Sequence, residues 1–257
     1  MPTTTRDGIT LAYEERGSGS PAFLFVHGWT CDRSFFAPQA EHFAKTHRVV
    51  SADLRGHGES DKPQGAYPIS AYVDDLAHLI AHLKLGKVIA VGHSMGGITV
   101  LQLAAAHPDR VAGIVMVDPA PLAFPPELRA NIEGLVAAIE AGNQEPRRMF
   151  IEEHLFLPTS DKALVKRVVD VMLAAPAHVA AGAMKGILAF DGVAAAARCK
   201  VPALHLAATP PLNPPHLMSQ WLPTAVNGWT VGAGHFNMLE VPDQVNGMIE
   251  GFLRHHV

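Results

Sequence analysis

Ser94 stands in the turn Gly92-His93-Ser94-Met95-Gly96, with Gly97 directly after it. A serine hydroxyl is a weak nucleophile, so it needs a base to take its proton, a group to orient that base, and donors for the oxyanion that forms. The surroundings of Ser94 suit the nucleophile's role, because the apolar run Val88 to Val91 leads in and a small, apolar helical pattern leads out. The glycines leave off the side chains that a strained strand-to-helix turn excludes, which is the context of a nucleophile elbow. A glycine-rich phosphate turn or a plain tight turn is the alternative, and the flanks favour the elbow. His235, in Gly232-Ala233-Gly234-His235-Phe236, follows the last predicted strand and is the candidate general base. A glycine-rich loop there lets an imidazole project over the carboxyl edge of the sheet, where ligands of open α/β sheets gather. The alternative is a surface histidine ahead of the last helix. His93, next to the serine, is expected on the opposite side of the turn.

Short apolar runs must position these groups. Ala22 to Val26, Arg48 to Ala52, Val88 to Val91 and Ile114 to Val117 are rich in Val, Ile and Phe and end near Gly, Asp or His. Such runs read as strands buried on both faces, hence an α/β fold with a parallel sheet. Helices are predicted over Ile69 to Leu83 and Gly97 to Ala106, giving right-handed crossover units. The alternation from Gly8 to Glu14 predicts an antiparallel edge ribbon. Strands are expected again at Pro202 to Ala207 and near Gly228 to Val231, and a last helix from Pro242 to Arg254. Between Asp118 and the returning sheet the pattern is helical, with Leu128, Ile132, Leu135, Val136 and Ile139 on one face and Leu164, Val168, Val171 and Met172 on another. Residues 119–198 therefore read as an inserted helical cap on a core of residues 1–118 and 199–257.

At 257 residues, 48% hydrophobic and 17% charged, the chain can bury a large core. A net charge of −4 without long basic runs argues against nucleic acid. With no apolar stretch long enough to span a bilayer and no apolar leader core, no membrane partner and a cytoplasmic location are expected. The two cysteines, Cys31 and Cys199, and the fifteen scattered histidines show no metal-ligand spacing, so neither metal nor organic cofactor is expected. Monomer and homodimer both remain open.

With Gly-His-Ser-Met-Gly-Gly, the tracts His27-Gly28-Trp29, Asp53-Leu54-Arg55-Gly56-His57-Gly58-Glu59-Ser60 and Gly232 to Phe236 make this chain resemble the α/β-hydrolase superfamily over most of its length outside the cap. The resemblance implies that the backbone N–H groups of Trp29 and Met95 form the oxyanion hole, and that His57 belongs to a structural loop. Trp29 as a core aromatic is the alternative. Many members carry the triad acid after the strand that follows the cap, but that loop here, Ala207 to Asn213, has no Asp or Glu. Asn213 could hydrogen-bond an imidazole but lacks the charge that stabilises imidazolium. Asp118, at the end of the strand beside the serine strand, is the preferred acid and resembles branches that place it one strand early. A turn cap before Pro119 is the alternative for Asp118, and Asp191 is a remoter choice of acid.

Phe124, Phe150, Leu155, Phe156, Leu157, Met184, Leu188 and Phe190 of the cap, together with Phe236, could line an apolar pocket or simply form cap core. His154 and Trp221 are further candidates for contact with substrate. An uncharged, hydrophobic ester, lactone or ring ketone is the expected partner. Hydrolysis of an ester or lactone through an acyl-enzyme leads. The fold also hosts cofactor-free dioxygenases of N-heteroaromatic hydroxy-ketones, similar here in His27 to Asp32 and in the early acid, and C–C bond hydrolases. A non-catalytic small-molecule receptor is a third class.

Overall fold

The computed structural model describes residues 1–257. Eight strands, β1 (Thr3–Arg6), β2 (Ile9–Arg16), β3 (Ala22–Val26), β4 (Val49–Ala52), β5 (Val88–His93), β6 (Val111–Val117), β7 (Ala203–Ala207) and β8 (Ala225–Trp229), form one sheet in the order β1-β2-β4-β3-β5-β6-β7-β8. β1 and β2 are antiparallel, β2 meets β4 antiparallel, and the remaining pairs are parallel. The β1–β2 ribbon turns at Asp7-Gly8, both at positive φ, as a tight hairpin requires. All residues of β3 and β5 are buried, which is why both read as unbroken apolar runs.

The helices are α1 (Ala37–Phe43), α2 (Ile69–His82), α3 (Met95–Ala106), α4 (Pro126–Glu140), α5 (Glu145–His154), α6 (Lys162–Ala174), α7 (Ala177–Ala189), α8 (Gly192–Arg198), α9 (Pro215–Trp221), α10 (Asn237–Glu240) and α11 (Pro242–His256). Helices α4 to α8 all lie between β6 and β7. Their apolar faces join the hydrophobic core of the sheet, so Ile132, Val168, Val179 and Met184 belong to the same buried cluster as Phe25 and Val91. No single helix is long and apolar enough to cross a membrane.

The last strand differs from expectation. It covers Ala225 to Trp229 and stops before Val231, which is 76% exposed. β8 is the sheet edge, so its bounds follow its pairing with β7, from Ala203 against Ala225 to Ala207 against Trp229, and its own residues alternate only weakly.

The loop after β4 is held by Asp53, whose carboxylate accepts from the backbone N–H groups of Arg33 (2.8 Å) and Glu59 (2.9 Å) and pairs with the Arg33 guanidinium. His27 Nε2 accepts from the Leu54 N–H at 3.0 Å, tying this loop to the end of β3. Where β5 enters α3, the backbone runs against its neighbours. A Cβ on Gly92 would collide with the Gly96 carbonyl, and one on Gly96 with the carbonyl of Val26. Gly96→Ala should therefore lower the unfolding free energy by about 1–3 kcal/mol in urea titration. Gly247→Ala, on α11 with open space around the site, should be neutral or raise it by up to about 1 kcal/mol.

Candidate active site

Ser94 sits between β5 and α3 with φ 53° and ψ −115°, a conformation that a residue with a side chain adopts only under constraint. The constraint is visible in the bonds around it. Its N–H donates to Val117 O at 3.1 Å and its carbonyl accepts from the Ala120 N–H at 3.0 Å, so the turn is laced to the end of β6. Met95 is the first residue of α3, where backbone N–H groups have no partner within the helix. Neither the Met95 nor the Trp29 N–H is spent on another backbone carbonyl.

The sheet register brings the second candidate alongside. His93 pairs with Val117, and Val117 with Leu206, so Asp118 emerges next to Ser94 at the carboxyl edge. Asp118 also has positive φ, 36°, and is buried. Its Oδ2 lies 2.6 Å from His235 Nδ1, and its Oδ1 accepts from the Ala208 N–H at 3.2 Å. A carboxylate can only accept, so Nδ1 carries the proton and Nε2 is left with a lone pair. The loop after β7, the usual place of the acid, thus supplies a backbone donor to Asp118.

Asn213 does not touch His235. Its side chain accepts from the Leu122 N–H at 2.8 Å and donates to the carbonyls of Pro119 (2.7 Å) and Ala120 (3.2 Å), pinning the chain that follows Asp118. Asp191 caps α8 through the Ala194 N–H at 2.9 Å.

Two residues near His235 escaped the sequence reading. His93 was expected to face away, yet its ring centroid lies 4.5 Å from that of His235 and its Nε2–H donates to the His235 carbonyl at 3.0 Å. The register of β5 decides this, because His93 is its last residue and Gly28 leaves it room: a Cβ there would lie 2.8 Å from His93 Nδ1. Glu240 accepts from the Gly234 N–H at 2.9 Å and from the Ser160 hydroxyl at 2.5 Å, so one carboxylate joins the His235 loop to the inserted helices. Nothing local in the sequence pointed to either contact.

Ser94, His93 and His235 open into one cavity of about 550 Å³. Of the expected pocket residues, Phe124, Phe150, His154, Leu155, Met184 and Phe236 line it. Phe156, Leu157, Leu188, Phe190 and Trp221 do not. Phe156 stacks behind Phe236 at 5.1 Å between centroids. Met184 and Ile187 line the cavity from α7, whereas Leu188, one turn on from Met184, is buried in the hydrophobic core. Phe190 follows α7 in extended backbone and packs on the core, and Trp221 packs there from α9. The missed wall comes largely from α4, with Leu128, Asn131 and Leu135, and from Met149 and Met172. No lysine or arginine lines the cavity, and Glu153 does. No group of three or more His, Cys, Asp or Glu side chains is arranged to hold a metal ion.

The chain matches the alpha/beta hydrolase fold family over residues 21–155, and it belongs to that family. It is 39% identical to the 2-(acetamidomethylene)succinate hydrolase of Mesorhizobium japonicum over 53% of this chain and 47% of that one. The chain spans about half the length of the curated relatives it matches. Two solved structures superpose over nearly the whole chain. A thermophilic esterase from Thermogutta terrifontis is 28% identical with a TM-score of 0.88, covering 99% of this chain and 97% of its own. The enol-lactonase from Burkholderia xenovorans LB400 is 25% identical, also with a TM-score of 0.88, covering 99% and 100%.

Burial holds several imidazoles near the site neutral. It pushes His57 from 6.5 down to about 3, lowers His27 and His205, and, with His235 beside it, pushes His93 well down. Below pH ~6.5 the unfolded chain takes up protons that the folded chain refuses, so stability must fall as pH falls from that point towards the folded values. Each such histidine contributes a slope of about 1.4 kcal/mol per pH unit across its window, which for His57 runs from ~6.5 down to about 3. Urea titrations between pH 7.5 and 5 should show stability dropping more steeply than one proton accounts for, and a flat profile would refute this.

Proposed function

We propose that this chain hydrolyses a carboxylic ester or lactone of an uncharged, hydrophobic substrate, with Ser94, His235 and Asp118 as the catalytic triad. The 2.6 Å contact between Asp118 and His235 Nδ1 carries the reading, because it presents a correctly protonated imidazole beside a strained serine. Ser94 Oγ attacks the carbonyl carbon as its proton passes to His235 Nε2. The oxyanion is held by the N–H groups of Trp29 and Met95. Collapse breaks the acyl–oxygen bond, and the leaving alkoxide takes the proton from His235. Water then attacks the acyl-enzyme, giving its proton to His235, which passes it on to Ser94 Oγ as the acyl–Oγ bond breaks and the carboxylic acid leaves.

Similarity to an esterase and an enol-lactonase supports the bond type. The cavity supports the substrate class: its walls are mainly apolar, no lysine or arginine lines it to receive a free carboxylate, and Glu153 would repel one. On this reading the chain differs from its succinate-hydrolase relative in the charge of the substrate it accepts.

A screen of short aryl esters, lactones and heteroaromatic hydroxy-ketones tests the proposal, with Ser94→Ala as control. Neutral acyl groups should turn over and analogues with a terminal carboxylate should be poor substrates. Ser94→Ala should abolish turnover, and Asp118→Asn should fold normally with kcat lowered by up to about 10⁴-fold, because the imidazole loses its tautomer control. Oxygen uptake with a hydroxyquinolone in the absence of ester turnover would replace hydrolysis by cofactor-free oxygenation. Folded protein that resists fluorophosphonate labelling at Ser94 would favour a receptor.

A further inference from the structure

Arg147, on α5, has no exposed surface and is paired with no Asp or Glu. A buried, uncompensated guanidinium is costly, so what holds it there matters. It donates to the carbonyls of Met172 and Ala175 (3.1 Å to the latter) and to Gln144 Oε1 at 3.3 Å, while its Nε–H has no acceptor. Met172 and Ala175 lie at the carboxyl end of α6, where unpaired carbonyls and the helix dipole favour a cation. That accounts for two of its bonds. It does not account for the guanidinium carbon, which lies over the Trp29 ring, 5.4 Å from its centroid.

Trp29 is the residue whose backbone N–H is the first donor of the proposed oxyanion hole. Its side chain is anchored in the inserted helices. The indole N–H donates to Ala180 O on α7 at 2.8 Å, and the ring meets Phe150 of α5 edge-on at 6.2 Å. The loop it belongs to needs such anchors. The next residue, Thr30, is β-branched yet has φ 54°, and its buried hydroxyl has no partner. Backbone in that region relaxes unless its surroundings hold it. α5 therefore does two things at once: Pro146, Met149 and Phe150 line the cavity, while Arg147 between them bears on the oxyanion loop.

We infer that Arg147 is a positioning residue for the oxyanion hole, clamping the Trp29 indole against the inserted helices so that the Trp29 N–H is held at the place where the oxyanion forms. The inference rests on the ester-hydrolase reading above. The cation over the ring is a broad planar guanidinium that also reaches the carbonyls of α6, so lysine cannot substitute, although lysine can still place a charge at the end of α6.

The test compares Arg147→Met and Arg147→Lys in the full chain for kcat, KM, Ser94 labelling by a fluorophosphonate, and affinity for an aryl boronic acid, which mimics the tetrahedral adduct. Both variants should lose roughly 10- to 100-fold in kcat, as expected when a donor is displaced and not deleted, with KM unchanged. Boronate affinity should fall by the same factor. In a Trp29→Leu background, already impaired, Arg147→Met should have no further effect, because the two act as one unit. Arg147→Lys keeps the experiment decisive if the methionine variant does not fold. Wild-type kcat and boronate affinity in Arg147→Lys, or an Arg147→Met loss that persists undiminished without the Trp29 ring, would overturn the inference and leave Arg147 as a cap for α6. Failure of the reading beneath it looks different: wild-type protein itself would show neither ester turnover nor Ser94 labelling, and both would fall together.

Discussion

At Ser94 the backbone turns from strand to helix with a positive φ, and much of the molecule is arranged to hold it there. Glycine is required at Gly92 and Gly96 because carbonyls occupy the space a Cβ would need, and at Gly28 because His93 does. The tight passage of α3 across β3 and β5 is what puts the Met95 N–H at an uncommitted helix terminus beside the serine. The strain is carried by a sheet whose central strands are wholly buried, so relaxing it would mean disrupting the best-packed part of the core.

The place of Asp118 follows from the same sheet. Because β6 lies next to β5 in parallel register, the residue after β6 arrives beside Ser94 without any long loop. Asp118 can then receive the Ala208 N–H from the loop after β7, and Asn213 clips the chain that leads away from it. An aspartate in that later loop would reach the same imidazole from the neighbouring strand. The two placements are near-equivalent in geometry because adjacent parallel strands end at the same edge.

His235 and the loop of Trp29 depend on the inserted helices as well as on the sheet. The His235 N–H donates to Leu155 O at 3.0 Å, just past α5, and Glu240 links Gly234 to Ser160. Trp29 is bonded to α7. The helices that shape the cavity are thus the ones against which Trp29 and His235 are braced, and the cavity walls and the proposed catalytic geometry are parts of one packed unit.

The amino-acid sequence was enough for the parallel α/β architecture, the strand-to-helix turn at Ser94, and the choice of His235 and Asp118 as the pair proposed here as base and acid. These are legible because each is encoded locally, in an apolar run ending at a glycine-flanked or acidic residue, and because the order of the runs along the chain sets which strand ends share an edge. The inserted helices were legible as helices but not as walls. Their apolar faces are wide enough that periodicity could not tell Met184 and Ile187, which line the cavity, from Leu188, which does not. The edge strand β8, the contact of His93 with His235, the Glu240 link and the burial of Arg147 over Trp29 were decided only by tertiary packing. Each joins residues far apart in the chain, and no local pattern records which partner a side chain will meet.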